Sequence, residues 1–377
     1  MAPPFSKSEY DNRMARVKAV MKSKNLDGLL IGNPNNINWL TGYDAWSFYT
    51  PQMMLLDLSD NGVYWFGRDM DAGAAKFTTY LTSKQIIGYP EEFVQRSDIH
   101  PSDYISNWIK KSGYDSSTIG IETDSYFTSP RAVTNLKSNL KNIRWLEVDL
   151  LVNWVRVVKS EAELAMMRQA AAIADIAMQT AYEGTSVGKR QCDLMADIVA
   201  SQIKGTKNFG GDMPALHPLI LAGEAASTAH PLWTEAKLEP EQTIAFELGG
   251  CRKRYNVGLA RTIHLGKKKP NKLIETARAV MEGMNAVTDS LHAGAITGEV
   301  HGAWQSVLDR YGLEKKSRIG YSIGIGYSPD WGEQTLSFRI GETTVVPENA
   351  VVQDLVDFSD FLPLLWRLLV QKYQQIE

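Results

Sequence analysis

Helical patterns in the second half of the 377-residue chain come in pairs, and each pair is followed by a β-rich stretch. The first pair covers residues 164–182 and 187–204, with strands expected between 215 and 265. The second covers 271–291 and 298–311, with strands expected between 319 and 344. Apolar residues recurring at helical spacing and then alternating in short runs require each helix pair to bury its face on its own sheet. The pattern predicts a duplicated α+β unit.

This domain has a marked start. Ser160 followed by Glu163 is a capping box, in which the two side chains satisfy free amides at a helix N-terminus. Before it, strand-like runs at 27–32, 53–58, 62–67 and 119–122 alternate with helical or polar segments, beginning with an amphipathic stretch at 6–24. The reading is an α/β N-terminal domain over residues 1–157 and an α+β domain over 158–377.

Composition narrows the function classes. A net charge of -3, 22% charged residues and 44% apolar residues describe a globular protein without the basic face that nucleic acid requires. No apolar run reaches the ~20 residues of a membrane helix, and residues 1–5 do not resemble a signal peptide. Cys192 and Cys251 are too few for a disulfide framework or thiolate cage. The expectation is a cytoplasmic protein with neither nucleic acid nor membrane as partner.

Chemistry concentrates in a few segments. The run Phe246-Glu247-Leu248-Gly249-Gly250 through Val257-Gly258-Leu259-Ala260-Arg261-Thr262 carries one carboxylate on a strand. Thr228-Ala229-His230-Pro231 and Met213-Pro214-Ala215-Leu216-His217-Pro218 each place a histidine beside a proline. Aromatic residues gather at Tyr43-Asp44-Ala45-Trp46-Ser47-Phe48-Tyr49 and again at Tyr321, Tyr327 and Trp331. A glutamate and a histidine are the equipment of general acid/base or covalent catalysis, and aromatic faces stabilise delocalised cations by ~0.5–2 kcal/mol each. Each residue also has a plain alternative: a strand glutamate in a salt bridge, a histidine in a turn, an aromatic ring in the core.

These segments, with Trp39-Leu40-Thr41-Gly42 and Gly320-Tyr321-Ser322-Ile323-Gly324 through Glu333, resemble the pita-bread family of methionine aminopeptidase, prolidase and creatinase. Within it the chain is most similar to the ectoine hydrolases. The resemblance implies a creatinase-like N-terminal domain followed by a pita-bread domain, and a homodimer in which the loop around Trp46 serves the partner's pocket. The metal-ligand positions of the family fall on Glu247, Gly258 and Tyr321, and the two C-terminal glutamates of the family find no matching context. One carboxylate does not hold two hard cations, so no metal and no other cofactor is expected.

The resemblance further implies that Glu247 acts as nucleophile or base and that His230 transfers protons. Tyr43, Trp46, His217, Arg261, Tyr321 and Trp331 are the expected substrate contacts, with Arg261 or Arg68 facing a substrate carboxylate. The implied reaction opens the cyclic amidine of ectoine. Creatinase-type amidinohydrolysis, metal-dependent peptidase or dimethylsulfoniopropionate lyase activity and a catalytically dead binding module are the competing implications. From about residue 345 the chain departs from the family pattern. The apolar segment 361–370 lacks strand alternation, which predicts an altered C-terminus and an open sheet edge.

Overall fold

The computed structural model describes residues 2–354 and 373–375. The chain divides into two compact units, Met1–Arg156 and Val157–Glu377.

The N-terminal unit runs α1 (Lys7–Ser23), β1 (Gly28–Ile31), α2 (Pro34–Thr41), β2 (Met53–Asp57), β3 (Val63–Arg68), α3 (Ala72–Thr78), β4 (Ile86–Tyr89), α4 (Pro101–Lys111), β5 (Thr118–Ile121), α5 (Pro130–Asn139), β6 (Arg144–Glu147) and α6 (Leu151–Arg156). Its six strands form one mixed sheet in the order β4-β3-β2-β1-β5-β6. Strands β1, β2 and β3 are antiparallel neighbours, whereas β4, β5 and β6 join in parallel. Ile105 and Ile109 of α4 and Ala132 and Leu136 of α5 pack on Leu30, Leu55, Phe66 and Ile119. Strands β4 and β6 escape a reading from sequence: Gly88 interrupts the one, and Arg144 and Glu147 put charge at both ends of the other, unlike the more apolar β1 and β5 of the same length.

Glu122, just past β5, is a buried carboxyl in this unit. Its Oε1 accepts from Asn36 Nδ2 at 2.7 Å, and Arg156 Nε donates to Asn36 Oδ1 at 3.0 Å. Burial pushes the Glu122 carboxyl up to about 7, while the Asn36 and Asn33 hydrogen bonds and the Arg156 charge pull it back. The folded state therefore holds a proton that the unfolded chain, titrating near ~4.3, has already lost. Stability from this group is fully present below that unfolded value and is lost as pH rises through about 7. Chemical denaturation at pH 5 and pH 8 should show Glu122→Gln gaining on wild type by up to about 3 kcal/mol across that window. A pH-independent difference would remove Glu122 as the cause.

The C-terminal unit runs α7 (Glu161–Gly184), α8 (Gln191–Lys204), β7 (Leu219–Ala222), β8 (Gln242–Arg252), β9 (Tyr255–Leu265), α9 (Asn271–Ser290), α10 (Thr297–Arg310), β10 (Gly320–Ile323), β11 (Gly332–Phe338), β12 (Val351–Asp354) and β13 (Tyr373–Gln375). The capping box forms as expected: Ser160 Oγ accepts from Glu163 N, and the Glu163 side chain accepts from Ser160 N. Helix α8 begins four residues later than the apolar pattern does, at Gln191, because Gly188 takes a left-handed backbone, φ 85°, and Arg190 is extended as the N-cap.

Each helix pair covers one sheet. Ala174, Ala177 and Ala181 of α7 with Leu194 and Ile198 of α8 pack on Ile244, Phe246, Leu248 and Leu259 of the sheet β7-β8-β9. Met284 and Val287 of α9 with Trp304 and Leu308 of α10 pack on Ile319, Leu336, Phe338 and Val352 of the sheet β11-β10-β12-β13. The duplicated α+β unit is thus present as two helix-covered sheets. Past residue 345, β12 pairs with β10 and β13 pairs with β12, so strands continue the sheet where the sequence predicted an open edge. The apolar segment 361–370 lies outside the described residues. No helix among the described residues is long and apolar enough to cross a membrane.

Candidate functional site

Strand register decides which side chains can share a pocket. In an antiparallel pair, residues directly opposite one another project to the same face, and the face alternates at each step. Phe246 lies opposite Arg261, and Glu247 lies opposite Ala260 and Leu219. Phe246 and Leu248 point at α7 and α8. Glu247, Gly249 and Gly258 therefore occupy the opposite face, away from the helices.

The second sheet repeats the logic. Phe338 and Val352 face α9 and α10, whereas Tyr321, opposite both Ser337 and Gln353, faces the other way. The two helix-free faces meet. Asn256 N donates to Gly324 O at 2.9 Å, and Tyr255 bridges Ile325. The Trp331 ring lies on Gly249, where an added Cβ would come within 2.5 Å of it, and the Gln353 carboxamide lies on Gly258, at 2.6 Å from such a Cβ. A side chain at either glycine would collide with the facing sheet.

Glu247 is 5% exposed in this layer. Beside it Tyr321 is also buried, and Trp331 Nε1 donates to its hydroxyl at 2.9 Å. Burial, then the Glu247 charge, hold the Tyr321 hydroxyl well above the usual tyrosine range, so it stays protonated and can donate. The Arg318 guanidinium sits 4.1 Å from the centre of its ring. Asn256 braces one rim, accepting from Ala215 N at 2.9 Å and donating to Gly326 O at 3.2 Å.

Of the residues singled out in the sequence, Glu247, Tyr321 and Trp331 come together here. Arg261 does not. Its register puts it on the helix face, where its side chain bonds Ala260 O at 2.7 Å and Tyr182 of α7 lies close enough to feel its charge. Arg261 thus stands on the face of the sheet opposite to that of Glu247. Arg68 is likewise engaged, paired with Glu91 at 2.5 Å.

His217 and His230 are exposed, on the segments before β7 and after the 3-10 turn Gly223–Ser227. The His217 ring meets Trp233 edge-on at 6.0 Å, and His230 has a left-handed backbone, φ 64°. Tyr43 and Trp46 belong to the N-terminal unit. Tyr43 is 3% exposed, bonded to Ser47 Oγ at 2.8 Å and packed on Trp65, which is a core position. Trp46 is 60% exposed and rests on Phe48.

Two features escaped sequence reading. Gln353 supplies a buried amide to the Glu247 layer, and its place between Val352 and Asp354 carries no signal. Lys159 and Glu333 form an ion pair at 2.6 Å with both side chains 1% exposed. Nothing in their spacing announces it.

Metal can be tested against this donor set. Gly258 offers no ligand atom, a neutral amide fills the space beside it, and Tyr321 is a protonated phenol. Among the described residues no group of three or more His, Cys, Asp or Glu side chains could hold an ion. A pair of hard cations needs several shared oxygen or nitrogen ligands, so the described residues do not fit one.

Comparison with known proteins agrees with this architecture. Residues 165–353 match the model of metallopeptidase family M24, and residues 13–158 match the creatinase/prolidase N-terminal domain. The chain is 34% identical over 370 residues to the ectoine hydrolase of Halomonas elongata, covering 96% of this chain and 90% of that protein. It is 38% identical over 347 residues to an uncharacterised hydrolase/peptidase of Sinorhizobium fredii, covering 92% and 88% respectively. Among solved structures, a prolidase from Thermococcus sibiricus superposes with TM-score 0.82 at 16% identity, covering 98% of this chain and 94% of that one. The prolidase from Pyrococcus furiosus does so with TM-score 0.76 at 19%, covering 95% and 96%. The chain belongs to the M24 family of hydrolases, as a creatinase/prolidase N-terminal domain joined to a pita-bread domain.

Proposed function

We propose that this protein hydrolyses a cyclic amidine, ectoine or a close analogue, to the ring-opened N-acetyl-2,4-diaminobutyrate, without metal. The observation that carries this reading is the buried Glu247, which keeps a carboxylate where the family scaffold brings its sheets together, while Gly258 and Tyr321 offer no further anionic ligand. The similarity to an ectoine hydrolase over almost the whole chain supports the substrate class.

A buried carboxylate attracts an amidinium, whose charge it neutralises and whose N–H groups it accepts. Hydrolysis then needs oxygen at the central carbon. Glu247 provides it by direct attack or by taking a proton from water as the water oxygen bonds that carbon. The tetrahedral adduct collapses as one C–N bond breaks and the departing ring nitrogen takes up a proton; after water attack this gives the amide, whereas after direct attack it leaves an acyl imidate on Glu247 that water cleaves to the amide and the free carboxylate. In this reading His230 supplies that proton and Tyr321 donates a hydrogen bond to the developing oxygen. Tyr321 is suited to donate because its proton is held firmly. The Trp331 indole and the Tyr321 ring supply aromatic surface for the delocalised cation.

The test is proton NMR of ectoine with protein dialysed against a chelator. Ring opening to the N-acetyl product at an undiminished rate is expected. Turnover that disappears on chelation and returns with divalent metal would overturn the metal-free mechanism, and cleavage of Xaa-Pro dipeptides in place of ectoine would favour the prolidase activity named for the solved structures.

A further inference from the structure

Gln353 is 1% exposed, and neither its Nε2 nor its Oε1 has a hydrogen-bond partner among the described residues. Burying both ends of a carboxamide unsatisfied is costly, and an apolar side chain like those of Val351 and Val352 would avoid the cost. The amide is also placed with unusual constraint. It projects from β12 directly opposite Tyr321. An added Cβ on Gly258 would lie 2.6 Å from Nε2, 2.6 Å from Oε1 and 2.8 Å from Cδ. Both polar atoms lie nearer that point than Cδ does, so the amide turns its hydrogen-bonding edge toward the glycine.

Glu247 stands on the same face as Gly258. Gly258 pairs with Gly249 and Glu247 with Ala260, so Glu247 and Gly258 are diagonal neighbours, separated by roughly 7–8 Å between backbones. The carboxylate of β8 and the carboxamide of β12 thus face the same layer between the two sheets.

We infer that Gln353 is a specificity-determining substrate-binding residue: its Oε1 accepts an N–H of the amidine ring and its Nε2 donates to the carboxylate of the same molecule. This assignment rests on the cyclic-amidine reading for the identity of the ligand. A neutral amide fits the task because a second acid here would repel both Glu247 and the substrate carboxylate. Glycine at 258 fits it too, since any side chain there would displace the amide.

The experiment is calorimetric titration of ectoine, of 2-methyltetrahydropyrimidine (the same ring without the carboxylate) and of alanylproline into wild type, Gln353→Leu and Gln353→Glu, with thermal melts of each. Gln353→Leu should melt no lower than wild type while its Kd for ectoine rises about 10- to 100-fold. Gln353→Glu should lose ectoine more than it loses the ring lacking a carboxylate. A Gln353→Leu protein that binds ectoine like wild type, or one that merely melts lower with its affinity kept, overturns the assignment. The Gln353→Glu ligand preference decides the matter if the leucine variant does not fold, and equal losses of both rings overturn the assignment. Wild type that binds alanylproline and not ectoine, with the same dependence on Gln353, overturns the substrate reading alone. Wild type that binds none of the three overturns both.

Discussion

Glu247→Gln should lower ectoine turnover at least about a thousandfold, ~4 kcal/mol of transition-state stabilisation, with the fold intact. The substitution is isosteric. It removes the charge that attracts the amidinium and the basicity that delivers oxygen to its carbon, and it leaves the strand register of β8 untouched. Because the site is 5% exposed, water cannot readily replace the lost group. Ground-state binding should weaken as well, so KM rises while kcat falls, which separates Glu247 from a residue that only positions the ring. Single-turnover NMR on the variant is the measurement, and a variant with wild-type kcat would end the proposed mechanism.

Lys159→Met carries the second large effect, on stability. Lys159 Nζ donates to Glu333 at 2.6 Å and to Val157 O at 3.0 Å, with both charged side chains removed from water. Taking the ammonium away leaves a buried carboxylate without its counter-charge, which costs about 3–5 kcal/mol. The double change Lys159→Met with Glu333→Leu should recover a large part of that loss, since two apolar groups of similar volume bury without a charge penalty. Urea unfolding of the two single variants and the double variant tests it, and additive losses would show that the pair is not coupled. The pair bears on the site as well, because Glu333 Oε1 lies against Gly324 and Gly324 O receives the Asn256 amide. Loosening Glu333 frees Gly324, which follows the C-terminal end of β10.

Much of the fold was legible in the chain. The capping box at Ser160, the two helix pairs and the β-rich stretches after each depend on neighbours a few residues apart, and local spacing reports those. Strands β4 and β6 were not: Gly88 breaks the apolar run of the first, and charged Arg144 and Glu147 end the second. Within the site, Glu247, Tyr321 and Trp331 could be singled out because they lie in segments that resemble a family pattern. Gln353 could not, since a glutamine after two valines is unremarkable until Gly258 and Tyr321 are seen on either side of it.

Arg261 shows where local reading fails. It lies in the same run as Glu247, with a residue type suited to carboxylates, yet β8 and β9 pair so that it shares a face with Phe246. A shift of one residue in register would have exchanged the two faces. Local patterns in the chain give the order of the longer elements, and its residue types give the missing acids at Gly258 and Tyr321 and the single carboxylate in the run. Strand pairing and sheet packing set which face of each strand turns toward Glu247 and which distant side chain fills the space over Gly258. Register and the facing of two sheets are set by contacts between strands far apart along the chain, and no local periodicity encodes them.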